Sequence, residues 1–167
     1  RGMSDNILFW IDSVLIQFGI AKSIQDKNNT NLYAIFDIPQ SMKNLFENQK
    51  IVNFQKEWYF WDNVKIEKRQ PDIKYLESFE KKYKINIWMI SNIEATFSSR
   101  NQYHKFGHDE ILLILEKECR FFEKILEEIK PKYLVIKFTD YHRNHLLMKM
   151  CNSLGIKILM LTPTIIG

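Results

Sequence analysis

The sequence predicts an α/β fold, a Rossmann-like three-layer α/β/α sandwich around a mostly parallel sheet of roughly five or six strands. Three observations predict it. Short β-rich apolar runs alternate with longer helical patterns, as in βαβ units. The first run, Ile7 to Ile11, is apolar at every position, as a strand covered on both faces should be. Pro39, Pro71, Pro131 and Gly155 fall where helices should start or stop.

In chain order, Asp12 and Ser13 follow the first strand and open a helix that runs to about Lys27. Asn28 to Asn31 turn the chain into a second strand, Leu32 to Ile38. Pro39 then starts a short helix through Glu47, and a third strand is expected around Ile51 to Phe54. From Lys56 to Pro71 the periodicity fails, with Trp58, Tyr59, Phe60 and Trp61 adjacent and a charged run after them, so an irregular connection is expected. A helix from Asp72 to Tyr83 carries Ile73, Leu76, Phe79 and Tyr83 on one face, and Ile85 to Ile90 reads as the fourth strand. The polar stretch Ser91 to Gly107 is too long for a plain connection and is either partly helical or a functional loop. Asp109 to Lys130 is the strongest helix, its acidic start favoured by the helix dipole. A fifth strand, Tyr133 to Phe138, a helix from Tyr141 to Leu154 with Gly155 as its left-handed end, and a last strand, Ile156 to Leu161, complete the pattern.

At 167 residues the chain suits one domain, and its first two residues, Arg1 and Gly2, precede Met3 like a cloning remnant. Its end just beyond a strand suggests the N-terminal part of a longer two-domain protein. With 46% apolar and 26% charged residues, disorder, collagen-like repeats and a disulfide scaffold are excluded. The net charge of +4 comes from Lys interleaved with acidic residues, as around Lys81, Lys82 and Lys84, so a nucleic-acid partner is not expected. Cys119 and Cys151 lie in apolar helical patterns and read as buried thiols of a reducing compartment. No segment reads as a signal peptide or a membrane span.

In an open parallel sheet, ligands bind beyond the carboxyl ends of the strands. The residues expected there are Asp12 and Ser13, Asp37, Ser91, Asn92 and Glu94, Asp140 and His142, and Thr162, with Arg100 and His104 in the long polar loop. Asp12, Asp140 and His142 are the candidate bases; capping and turn chemistry is the competing reading for Asp12, Ser13 and Asp140. Arg100 offers a fork for phosphate or carboxylate, with a surface salt bridge as the alternative. The spacings of His104 with His108 and of His142 with His145 are too weak to predict a metal, and the second pair reads as surface residues of a helix start. The chain has no G-x-G-x-x-G, no G-x-x-x-x-G-K-[ST] and no G-x-S-x-G, so no cofactor is expected. The aromatic run at Trp58 reads as core or interdomain packing.

One ordered set of fragments carries a resemblance: Ile7-Leu8-Phe9-Trp10 through Ile20-Ala21-Lys22, then Leu32-Tyr33-Ala34-Ile35-Phe36-Asp37. Arg100-Asn101-Gln102-Tyr103 before Phe106 follows, with Phe121 and Phe122 on a helix ending Ile129-Lys130-Pro131, and Leu154-Gly155-Ile156-Lys157-Ile158-Leu159 at the end. The set resembles the N-terminal domain of GT-B glycosyltransferases, especially those of capsule or surface polysaccharide biosynthesis. The resemblance implies an acceptor-side domain with a nucleotide-sugar donor and a saccharide acceptor at a cleft with a C-terminal domain. Its setting would be cytoplasmic, with peripheral membrane association of the full-length protein. Asp12, Asp140 or His142 would then activate an acceptor hydroxyl, while Ser13, Asp37, Ser91, Asn92, Glu94, Arg100, His104 and Thr162 would contact substrate. The competing reading is a non-catalytic Rossmann- or flavodoxin-like module that binds a small ligand or a protein partner.

Overall fold

The computed structural model describes residues 5–27, 29–65, 67–92 and 106–162. The fold is α/β: a five-stranded, all-parallel sheet with seven helices among the described residues. The strands are β1 (Asn6–Asp12), β2 (Asn31–Asp37), β3 (Lys56–Tyr59), β4 (Tyr133–Lys137) and β5 (Lys157–Leu161). The helices are α1 (Ile16–Lys27), α2 (Gln40–Glu47), α3 (Phe60–Asn63), α4 (Ile73–Tyr83), α5 (Ile87–Ser91), α6 (His108–Ile129) and α7 (His142–Ser153). The sheet order is β3-β2-β1-β4-β5, the Rossmann-like sequence in which the direction of winding reverses beside β1. The chain divides into two compact units.

The first unit holds residues 1–63, 129–138 and 156–167, and with them the whole sheet. Leu8, Phe9, Trp10 and Ile11 are essentially fully buried, which explains the unbroken apolar run of β1. Phe36 of β2 gathers Phe46, Phe54 and Tyr59 around it at ring-centroid distances of 4.9 to 5.9 Å. These rings belong to a larger apolar cluster that also holds Phe9, Ile11, Ala21, Leu32 and Ala34, whose burial stabilises this unit.

Here the sequence expectation needs correction. The third strand lies at Lys56–Tyr59, not around residues 51–54. The backbone amides of Ile51 and Val52 donate to Gln49 Oε1 at 2.8 and 2.9 Å, and that of Asn53 donates to Gln25 Oε1 at 2.5 Å. Two glutamine side chains thus take the donors a strand ladder would need, and the chain turns before pairing begins. The aromatic run expected to be irregular supplies both β3 and α3. Trp58 and Phe60 are buried as core, whereas Trp61 is 51% exposed.

The second unit holds residues 64–128 and 139–155. Asp72 caps α4 by accepting from Tyr75 N at 3.0 Å, and Lys84 ends it in the left-handed region. The expected fourth strand at residues 85–90 is instead α5. Asn86 Oδ1 accepts from Met89 N at 3.0 Å and Glu80 Oε1 from Ile87 N at 2.7 Å, so two orphan amides of a helical first turn are satisfied. An apolar run this short fits either element, and the caps decide it. α6 and α7 fall where the periodicity placed them, and Gly155 follows α7 at φ +72°. Cys119 and Cys151 are buried free thiols. No helix among the described residues is long and apolar enough to cross a membrane.

Candidate functional site

Three strand ends of the first unit bring ionic groups side by side. Asp12 closes β1 and Asp37 closes β2, and the two are register partners, so their Cα atoms sit one strand spacing apart, about 4.8 Å. Lys137 closes β4 on the other side of β1, its Nζ 4.0 Å from Asp12 Oδ2. Asp12 Oδ1 accepts from Val14 N at 2.9 Å, which folds the chain back at the strand end. The turn contains Leu15 at φ 64°, a conformation that costs a non-glycine residue about 1 kcal/mol or more. α1 begins at Ile16, three residues later than the sequence suggests, because Asp12 completes the strand and its side chain is used by the turn. Ser13 is exposed on that turn.

Trp61 is drawn to the same edge by α3. Its Nε1 donates to Asp37 Oδ1 at 2.9 Å, and its ring meets Phe60 edge-on with centroids 5.1 Å apart. The bond fixes the carboxylate and leaves about half of the indole in solvent. Behind it, Lys43 of α2 bonds Asp62 at 2.5 Å and lies 3.3 Å from Glu47. The Asp62 hydrogen bond holds the Lys43 amine above its ordinary range. Burial pushes the Tyr59 phenol up, so it stays neutral and serves as packing. Thr162 is exposed just beyond β5.

The remaining predicted residues lie in the second unit or outside the described residues. Glu94, Arg100 and His104 are among the latter, as is most of the polar stretch expected as a helix or loop. Ser91 and Asn92 do not follow a strand: Ser91 ends α5, buried, its hydroxyl donating to Trp88 O at 2.7 Å, and Asn92 is the exposed C-cap. Asp140 is exposed, and the turn before α7 is held by Thr139 Oγ1, which accepts from Tyr141 N at 3.3 Å. His142 is not the surface residue that a helix start suggested. It is 4% exposed, with Nε2 at 2.8 Å from both carboxylate oxygens of Glu118, itself 2% exposed. The carboxylate fixes the ring, as a buried ionisable pair must if neither partner is to be left unsatisfied. His145 bonds the carbonyl of Thr139 at 3.0 Å. No cluster of three or more metal-ligating side chains occurs among the described residues. A small hollow of about 180 Å³ is lined by Leu76, Ile87, Trp88 and Leu112 with Glu77 and Glu80, but Glu80 is already committed to Ile87 N.

Of the predicted residues, the structure therefore assembles Asp12 and Asp37 at one edge. Sequence reasoning missed Lys137 and Trp61 beside them and Glu118 beneath His142. A strand-end lysine is visible in the sequence, but nothing distinguishes it from a solvated one until the fold brings its Nζ to 4.0 Å from Asp12 Oδ2.

No family model matches the chain, and no curated protein sequence is similar to it. Among solved structures it is similar to a pantothenate synthetase from Thermus thermophilus, at 8% identity and a TM-score of 0.47, over 97% of this chain and 56% of that one. It is also similar to a pantoate-beta-alanine ligase from Francisella tularensis complexed with beta-gamma ATP and beta-alanine, at 14% identity and a TM-score of 0.41, over 96% of this chain and 60% of that one. The chain thus spans a little over half the length of these proteins. The glycosyltransferase expectation is corrected at this point. Neither of these structural neighbours is a GT-B glycosyltransferase or a transferase of capsule or polysaccharide biosynthesis, and no sequence family supports one. The nucleotide-sugar donor and the saccharide acceptor, which rested on that resemblance, are withdrawn with it.

Proposed function

We propose that the first unit is a nucleotide-binding module whose site is the carboxyl edge of β2, β1 and β4. The observation that carries the reading is the register-paired Asp12 and Asp37 with Trp61 locked onto Asp37. Carboxylates at adjacent strand ends are acceptors only, suited to the vicinal hydroxyls of a ribose. In Rossmann-like sheets an acidic residue at the end of the second strand takes that role, and Asp37 occupies the position. The half-exposed indole beside it offers a flat face for a base. Lys137 lies two strand spacings from Asp37, about 10 Å, and would meet the phosphate.

The arrangement also explains why the glycine-rich phosphate loop is dispensable. The turn after β1 spends its Val14 amide on Asp12, so the phosphate charge is taken at β4 instead of at the start of α1. Calorimetric titration with AMP, GMP, CMP and UMP tests the reading. A mononucleotide should bind, Asp37→Asn should weaken it about tenfold or more, and Lys137→Met should weaken AMP more than adenosine. Absence of binding by all four at millimolar concentration would refute the proposal.

A further inference from the structure

Gln17, in the first turn of α1, is completely buried, and neither its Oε1 nor its Nε2 has a hydrogen-bond partner. Buried amides are almost always paired, and one left unpaired at both ends is costly to the fold. Helical side chains lean toward the N-terminus of their helix, which carries the Gln17 amide over the turn that joins β1 to α1. That turn is the same strand end that presents Asp12. Val14 and Leu15 of that turn and Ile16 at the start of α1 are apolar yet 53%, 37% and 51% exposed. Little packing would be lost if they moved aside.

We infer that Gln17 is a ligand-reading residue of the nucleotide site, pairing with a neutral group that both donates and accepts a hydrogen bond, a hydroxyl or an amide. The inference rests on the nucleotide reading of this edge and adds to it the chemistry of one contact. A bare phosphate oxygen would satisfy Nε2 and leave Oε1 orphaned. The partner is therefore part of the nucleoside, and the phosphate stays with Lys137.

The test uses the wild-type chain, Gln17→Leu and Asp37→Asn, with AMP and adenosine as probes. Gln17→Leu should bind both at least tenfold more weakly, while its melting temperature without ligand is unchanged or higher, because it deletes an amide that the free protein leaves unpaired. In ¹⁵N-labelled wild type, the Gln17 side-chain NH₂ resonances should shift on saturation with either probe. Affinity within twofold of wild type overturns the inference, and so does a lowered melting temperature, which would mean that a buried water already satisfies the amide. Should Gln17→Leu fail to fold, the wild-type resonances decide alone, and resonances that do not move overturn it. If Asp37→Asn weakens binding and Gln17 proves indifferent, only this inference fails. If the wild type binds neither probe, both readings fall together.

Discussion

Glu116 provides a measurement of how the second unit is held together. It lies on α6, 1% exposed, and its Oε2 accepts from Arg69 Nη1 at 3.0 Å and from the Asp72 amide at 2.8 Å. Its Oε1 accepts from Arg69 Nη2 at 3.0 Å and Arg120 Nε at 2.8 Å. The irregular segment before α4 is thus fastened to α6 by one carboxylate. Burial pushes that carboxyl up, but the Arg69, Asp72 and Arg120 hydrogen bonds outweigh it and bring it from 4.5 down to about 2. That displacement corresponds to about 3 kcal/mol of stability, and the part-exposed guanidiniums of Arg69 and Arg120 let solvent screen it to about 2 kcal/mol. Glu116→Gln should therefore lower the melting temperature by about 4–8 °C at pH 7. Because the folded-state pKa is depressed, the contribution is present in full above about pH 4.5 and is lost as pH falls toward 2. Urea unfolding of both proteins at pH 7, 5 and 3 should show a deficit that holds to about pH 5 and falls to half or less by pH 3. The same deficit at all three pH values would refute the electrostatic account and assign the loss to packing.

Three further outcomes are expected. Leu15→Gly should stabilise the chain by about 0.5 kcal/mol in denaturant melts, since relief of the strain at φ 64° exceeds the added unfolded-state entropy. Cys151, its thiol pushed up to about 12 by burial, should resist a thiol reagent at pH 8 in the native protein and react at the ordinary rate in urea. Phe36→Ala should destabilise by about 3–5 kcal/mol, seen by calorimetry as a lost or strongly lowered transition, because three aromatic partners would be left around a cavity.

Much of the fold could be read from the sequence where one force decided the outcome. β1 is legible because both its faces are buried, and α4 and α6 because a long period leaves no other solution. β3 and α5 are not, for a common reason: side chains from outside each apolar run take its backbone donors. Gln25 and Gln49 divert residues 51–53 from the sheet, and Glu80 caps Ile87 seven residues on. The same holds at the candidate site. Asp12 and Asp37 are found by their place at strand ends, whereas Trp61 sits in a run without period and Gln17 reads as an ordinary polar residue of a helix face. His142 and Glu118 are 24 positions apart and meet only through the tertiary structure.

The two units differ in how they treat buried polar groups, and the difference bears on function. In the second unit Glu116 is saturated by two arginines and an amide, Glu118 by His142, and Glu123 by Lys82, Tyr75 and Tyr83, leaving only the Asn144 side-chain oxygen unpartnered among that unit's described residues. Satisfied networks of this kind rigidify a structure and leave little to offer a ligand. At the carboxyl edge of the first unit the pattern is reversed: Lys137 stands 4.0 Å from Asp12, beyond hydrogen-bond distance, and Gln17 is buried with both amide atoms unpaired. Unmet polar capacity is costly when it is buried, and it is the capacity that a bound molecule can satisfy. Among the described residues Gln17 is the one side chain buried with two unpartnered polar atoms, so a ligand that pairs with it would add to stability, and saturation with a mononucleotide should raise the melting temperature more in wild type than in Gln17→Leu.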